Sequence, residues 1–471
     1  MLRTFHSDLS DWTSKYVSWL GRVAVLKMNL LPRLLYLFHT LPIAIPSSFF
    51  LMLRKEFLSF VWPKGRPRVG MAVLCRPKTR GGLALPDMKQ YYTACHLLRI
   101  IDWSASNSDK RWLDLERTLS AYPLWAVPWF PPVAPQGAPS DPNPVAVTLR
   151  LWHKCKSTHG LSTALSPLLP LCHNPKLQAG VLPSLCIRLA RSRRLRALDF
   201  APDDDVGNPL CFREGDPPSP LERFNYLQIR TYLRDLNRSY SLHRPLTPFE
   251  RLCHLGLALN HGVSTLYGLL QASDTTDPSF TSRWETDLGV AITEAQWKMT
   301  FTLAHKGFCA TRSQETSYKI LTFWYRTPSL LHHIYPDASP TCWRCDSAVG
   351  THLHIWWSCP HIRGFWKLIH SAILQVTDMD LPFTPGCFLL LQIPLPIGTL
   401  KRSVLLLMLL AARALIPVHW RSPEVPSLRT WISRVEAFHS VDLLEAAAWD
   451  IETNMGLKWF HWDSYATLGE T

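Results

Sequence analysis

Residues 342–359 read CWRCDSAVGTHLHIWWSC, and within them Cys342, Cys345, His354 and Cys359 follow the pattern C-x2-C-x8-H-x4-C. Two cysteines separated by two residues can share one tight knuckle, with both sulfurs aimed at a single ion. A histidine and a third cysteine can then approach from a helical turn or a second knuckle. Three thiolates and an imidazole suit a closed, tetrahedral, structural zinc site. With every position filled by protein, such an ion has no open position at which to activate water. His352 competes with His354 for the fourth place. The bland alternative is three buried cysteines and a surface histidine, and the paired spacing argues against it. A Cys342–Cys345 disulfide is weaker in a reducing compartment. Trp356 and Trp357 lie between the last two ligands. One is expected to pack beneath the metal loop, and the other, Trp357, to stack a base. Both rings in the core is an equal alternative.

The second chemistry-bearing stretch is basic. Residues 54–80 hold Arg54, Lys55, Lys64, Arg66, Arg68, Arg76, Lys78 and Arg80 against one acid, Glu56, with Phe57, Phe60 and Trp62 interleaved. Cations at this density neutralise phosphates, and aromatic rings stack on bases; a solvated basic face is the alternative. A shorter run, Arg188, Arg191, Arg193, Arg194 and Arg196, fits a phosphate contact, an import signal or a solvated face equally.

Other groups mimic chemistry without its context. Asp203, Asp204 and Asp205 suggest a polymerase carboxylate motif, but Pro202 and loop-like flanks deny it the rigid hairpin that paired metal-binding carboxylates need. His153, Cys155, His159, Cys172 and His173 follow no regular metal spacing. The chain contains no P-loop, no G-x-S-x-G and no H-E-x-x-H.

The elements that must position these residues read as mostly α. Apolar residues recur at three- and four-residue steps over Asp11–His39, which Pro32 should kink or restart. LPIAIP at 41–46 is a rigid connector, and Ser47 or Ser48 caps a helix through Phe50, Leu53, Phe57 and Phe60. Residues 64–86 lose the helical period, suggest short strands or loop, and turn at Gly81-Gly82. Further helices are expected over Asp87–Trp103, 221–236, 248–257 behind Thr247, from Thr293 with Gln296 as a capping box, and over 314–325. The C-terminal part shows helical periods at 361–374, 400–415 and 428–449. Ile362, Phe365, Trp366, Ile369 and Ile373 form a stripe that reads as core. Pro-rich 121–147 and acidic, Pro-rich 199–220 read as loops. The expected fold is mainly α: a multi-domain helical protein with Pro-rich loops and a small zinc-knuckle-like module. The segments are 1–110, 111–220, 221–335, 336–375 (the Cys3His module) and 376–471.

Composition bounds the function. The chain has 471 residues, too many for one core, and 47% hydrophobic residues, enough for several. A formal net charge of +14 favours a polyanion, nucleic acid or an acidic membrane surface. The start MLRTFHSDLSDW lacks the apolar run of a secretion signal, so a reducing compartment with free thiols is expected. The runs Leu30–Ile45 and Val404–Leu410 are broken short of the roughly 18–20 apolar residues a membrane span needs.

Two stretches resemble one family. GRVAVLKMNLLPRLLYLFHTLPIAIPSSFF, with FVWPKGRPRV, GGLALPDMKQYYTACHL and Trp103, is similar to the region following the palm in LINE-type (non-LTR) retrotransposon reverse transcriptases. CWRCDSAVGTHLHIWWSCPHIRGFW resembles the cysteine-rich C-terminal segment of the same proteins, in the same order, and TFWYRTPSLLHHIYP between them is compatible. The resemblance implies a thumb-like region over residues 1–110 and a zinc-binding segment held by Cys342, Cys345, His354 and Cys359. RNA or DNA is the implied partner. The endonuclease and palm precede the thumb in that family, so the expectation is a catalytically incomplete C-terminal portion: a nucleic-acid binder in nucleus or cytoplasm, not an enzyme and without a small-molecule substrate. The contrasting expectation is a relic or interaction module with no nucleic-acid role.

Overall fold

The computed structural model describes residues 2–63, 65, 67–105, 109–130, 142–177, 180–190, 194–199, 219–242, 244–256, 259–272, 277–306, 311–394, 398–449 and 452–468. The chain is mainly helical, 66% helix, and among the described residues strand pairing is reduced to two isolated bridges, Pro170 with Arg196 and Thr341 with Val349. The predicted Asp203–Asp205 loop and residues 131–141 of the Pro-rich 121–147 stretch lie outside these residues; the rest of that stretch is not a surface loop, since Leu124, Trp125, Trp129 and Phe130 are buried and the helix Pro144–Cys155 begins within it.

The chain divides into two compact units of interleaved segments: Met1–Leu26, Glu56–Leu85 and Thr276–Thr471 in one, Lys27–Lys55 and Pro86–Thr275 in the other. Residues 1–110, one segment in the sequence reading, therefore contribute to both.

Local signals explain most helix limits. The expected Asp11–His39 helix is instead three pieces, Leu2–Thr13, Trp19–Val25 and Leu31–Thr40, with a π-turn at Leu26–Leu30. Ser18 stops the chain by capping the second piece, its side chain accepting from Gly21 N. Pro32 sits in the first turn of the third, where its missing N–H costs nothing. Ser47–Val61 and Met88–Ser104 form as expected, the latter capped by Asp87. Thr247 and Glu250 make a reciprocal capping box for Pro248–Leu255, and Thr293 and Gln296 do the same for Glu294–Lys306. Residues 64–86 hold no strand among those described: Met71–Cys75 is a short helix, Lys78–Arg80 a 3-10 turn, and Gly81 takes a φ of 76° that a side chain disfavours.

The first unit is built around the helix Thr399–Leu415, whose residues from Val404 to Ala412 are all buried. That continuous burial follows from neighbours on every side: Thr311–Leu321, Pro360–Thr377, Leu428–Trp449 and Glu452–Leu468 pack around it. Extended through the following turn, Thr399–His419 is long and apolar enough to cross a membrane, but its apolar side chains line this core. Buried tryptophans dominate the core, and most find an acceptor. Trp366 donates to Trp356 O at 2.8 Å, Trp431 to Met408 O at 3.0 Å and Trp284 to Leu321 O at 2.9 Å.

In the second unit Met88–Ser104 is the central helix, packed by Leu31–Thr40, Pro144–Cys155, Pro248–Leu255 and Gly262–Ala272. Gly262 permits the last approach, since a Cβ there would lie 2.7 Å from the Leu98 side chain. Two buried carboxylates are fully engaged: Glu116 takes Arg99 and the Trp103 indole, and Glu250 takes Arg244 and Ser162. Cys172 and Cys186, expected as separate thiols, are joined as a disulfide in the smaller core of this unit.

Candidate metal centre

The knuckle is a hairpin too short for strands. Cys342 N donates to Ala348 O at 2.8 Å and Gly350 N to Pro340 O at 2.8 Å, closing the loop around the first two cysteines. Asp346 makes the turn with a φ of 47°, a left-handed conformation that aspartate tolerates. Arg344 N points at the Cys342 sulfur, 3.4 Å away. The Arg344 side chain pins the knuckle from behind, donating to Ile355 O at 2.9 Å and His419 O at 3.1 Å.

The other two ligands need a different device. In an α-helix at about 100° per residue, side chains five apart diverge by about 140°. His354 and Cys359 are five apart, and the chain between them, His354–Ser358, is a π-turn. Cys359 N bonds to His354 O at 2.9 Å, and the wider turn brings the two side chains to one side. Pro360 then starts the helix Pro360–Thr377, whose predicted stripe Ile362, Phe365, Trp366, Ile369 and Ile373 is buried as expected.

The result is a group able to hold a metal ion: the ligand atoms of Cys342, Cys345, His354 and Cys359 all lie within 4.8 Å of one another. Cys345 Sγ is 3.4 Å from His354 Nε2, and the sulfurs of Cys342 and Cys359 are 3.9 Å apart. A tetrahedral ion with bonds of about 2.3 Å to sulfur separates its sulfurs by roughly 3.8 Å. The surroundings favour thiolate at one side: the Ser347 hydroxyl, joined by the Ser347 and Ala348 backbone and His354, holds the Cys345 thiol down at about 5. Burial, with the adjacent Cys342 sulfur, pushes Cys359 up to about 11. A cation among the sulfurs would cancel that repulsion, so the donor set fits a metal.

His352 is not part of the group. Its ring is buried between Trp284, Phe323 and Trp356, its Nε2 lies 3.1 Å from Ile320 O, and burial lowers its pKa to about 3. Among the described residues no other group of three or more metal-ligating side chains forms; the His153, Cys155, His159, Cys172 and His173 set does not assemble. No family model matches the chain.

The basic and aromatic candidates scatter. Trp357 is 4% exposed and packs on Trp366, Phe383 and Phe388, so its faces are not open to a base. Arg54 and Lys55 are exposed in the second unit, whereas Arg68, Arg76, Lys78 and Arg80 belong to the first. Of those four, Arg68 and Lys78 are exposed and Arg76 and Arg80 half-buried; Lys64 and Arg66 lie outside the described residues. In the 188–196 run, Arg194 donates to Ser104 O, Arg196 is buried over Trp125, and Arg188 pairs with Glu222. Those three serve packing within the second unit, and Arg191 and Arg193 lie outside the described residues.

An arrangement not foreseen from the sequence lies in the first unit. Trp19, Trp62 and Trp324 cluster with ring centroids 5.0–5.5 Å apart, and Arg68 lies over Trp324. Trp324 lies hundreds of positions along the chain from Trp19 and Trp62, and no local spacing announces the three together.

Proposed function

We propose that the chain is a zinc-organised nucleic-acid-binding protein, the catalytically incomplete C-terminal portion of a LINE-type reverse transcriptase. The observation that carries the reading is the convergence of Cys342, Cys345, His354 and Cys359 on one point. Three sulfurs and one imidazole select zinc over harder cations, which prefer oxygen. When bound, the ion supplies cross-linking and no reaction chemistry. The protein's own residues do the rest: Arg344 fixes the knuckle, the π-turn presents His354 and Cys359, and Trp356 and Trp366 tie the centre to the core.

The partner follows from charge. A chain of +14 with Arg54, Lys55, Arg68 and Lys78 at its surface attracts phosphates and releases their counterions. The expected result is binding to single-stranded RNA or DNA with little sequence preference and a steep loss with salt. In the variant Arg54→Gln/Lys55→Gln, the slope of log K against log salt should shrink by roughly one unit, about 0.7 for each lost contact on a single strand. A slope that does not move would remove those two residues from the interface.

The same reading predicts no polymerase activity. Primer extension on an RNA template with magnesium or manganese should give no incorporation above a protein-free control. Incorporation by the purified chain would defeat the catalytically incomplete reading outright, and its loss in Asp203→Ala/Asp204→Ala would place the metal site there.

A further inference from the structure

Arg68, Arg326 and Arg421 come from three distant parts of the sequence and meet around one aromatic strip of the first unit. Arg68 Cζ lies 5.0 Å from the centroid of Trp324, and its Nη1 donates to Trp324 O at 3.2 Å. Trp324 leads into Tyr325 and Arg326; Tyr325 meets the Trp420 ring at 5.3 Å, and Arg421 lies over Trp420 at 4.7 Å. Beyond Trp420, the ring of Trp343 is 5.4 Å away, and Trp343 sits between two of the metal ligands. All three arginines are exposed, while Trp324, Tyr325, Trp420 and Trp343 are half-buried.

The backbone that presents this strip is strained. Phe323 closes the helix Thr311–Leu321 at a φ of 53°, a conformation that costs a bulky residue free energy and is tolerated where packing over-determines it. Trp284 at 5.1 Å, His352 at 4.5 Å and Arg283 at 4.1 Å hold its ring. The turn thus delivers Trp324, Tyr325 and Arg326 outward from an anchored pivot.

Charges nearby do not neutralise the three cations. Glu315 is engaged by Lys319, which lies over Trp324 at 5.3 Å, and Glu424 is engaged by His419. No carboxylate pairs with Arg68, Arg326 or Arg421 among the described residues.

We propose that Arg68, Arg326 and Arg421 form a phosphate clamp for the backbone of single-stranded nucleic acid, with Trp324 and Trp420 holding two of the guanidinium planes in place. A guanidinium is a planar fork that takes phosphate oxygens in pairs, and laying it on an indole removes the side-chain freedom that binding would otherwise have to freeze. A guanidinium plane braced in this way also offers a face on which a base can stack. Besides burial, the fields of Arg326 and Arg421 lower the pKa of Arg68, so the three groups repel one another until an anion arrives. The proposal rests on the nucleic-acid reading above and gives it a location.

The test uses the full zinc-loaded chain and a fluorescently labelled 20-nucleotide RNA, with binding measured across a salt series. The triple variant Arg68→Gln/Arg326→Gln/Arg421→Gln should flatten the slope of log K against log salt by about two units and weaken binding by on the order of tenfold or more at fixed salt. Trp420→Ala keeps every charge, so it should weaken binding while leaving the slope nearly unchanged. Zinc content equal to wild type in both variants establishes that the fold is intact. If wild type binds RNA and the triple variant binds with the same affinity and slope, the clamp is wrong and the nucleic-acid reading survives. If wild type binds no RNA even at low salt, the reading beneath the clamp fails as well. If the variant loses binding to phosphatidylserine vesicles but not to RNA, the three arginines face a lipid surface and the nucleic-acid assignment is overturned.

Discussion

Chelating the metal from the purified chain, or replacing Cys342 with serine, is expected to unravel the segment from about residue 340 to 375 and to destabilise the first unit by more than about 4 kcal/mol, the extreme of single-substitution effects. The reason is that metal binding in such a module is itself folding free energy. The knuckle is held by a few backbone bonds around Cys342 and Gly350 and by Arg344 and Trp343, so few contacts besides the ion would fix its sulfurs. Beyond it, Trp366 donates to Trp356 O, so the helix Pro360–Thr377 leans on the same loop. The check is zinc per chain by metal analysis, with near-ultraviolet circular dichroism following the buried tryptophans. Cobalt in place of zinc should give the strong visible absorption of tetrahedral thiolate coordination. His354→Ala should release the metal. His352→Ala should keep it and lower the melting temperature through the cavity left among Trp284, Phe323 and Trp356 and the lost hydrogen bond to Ile320 O. A reduced chain that takes up no zinc or cobalt would abolish the site, and with it the strongest support for the family reading.

Arg413 should behave in the opposite way: replacing it with methionine is expected to raise stability by about 1–4 kcal/mol. Arg413 is 2% exposed in the central helix Thr399–Leu415, and none of its three guanidinium nitrogens has a hydrogen-bond partner among the described residues. A buried cation without partners costs free energy that a flexible apolar side chain of similar length does not. Burial pushes its pKa down to about 9. The folded-state pKa is the lower of the two, so the full penalty is present below pH 9. It is relieved as pH rises above 9, where the folded chain releases its proton before the unfolded chain does. The advantage of Arg413→Met over wild type should therefore shrink between pH 8 and pH 10.5. Urea denaturation of both proteins across that range measures it. A methionine variant less stable than wild type at pH 8 would mean that the guanidinium is satisfied in solution by a group it lacks here.

What the sequence disclosed and what it hid divide along a physical line. The caps at Asp87, Thr247 and Thr293 were legible because a cap is a contact between neighbours along the chain. The ligand set was legible for the same reason, since its four members fall within eighteen residues. The choice between His352 and His354 was not, because the π-turn that aims His354 leaves no mark in the spacing, and the acceptor that engages His352, Ile320 O, is distant. Trp357 misled for a related reason: its burial is decided by Phe383 and Phe388, which lie beyond the next helix. The arginine run at 188–196 looked like a surface signal, yet Arg196 is spent on His254 and Trp125. The cluster of Trp19, Trp62 and Trp324 was invisible altogether.

The interleaving of the two units sets a timetable for synthesis. Tyr318 reaches back across 237 residues to bond Gly81 O at 3.2 Å, and Trp19 must wait longer still for Trp324. At a ribosomal pace of about 5–20 residues per second, the segments Met1–Leu26 and Glu56–Leu85 spend on the order of ten seconds or more in nascent form before Thr276–Thr471 begins to supply their partners. Over that interval Trp19, Phe57, Phe60 and Leu74, all buried at the end, have only each other to hide against. The insert Pro86–Thr275 emerges in the meantime and can collapse on its own helix Met88–Ser104. A stall or premature stop between residues 276 and 320 would leave that half-built surface permanently open, a natural target for chaperone holdases and for proteolysis.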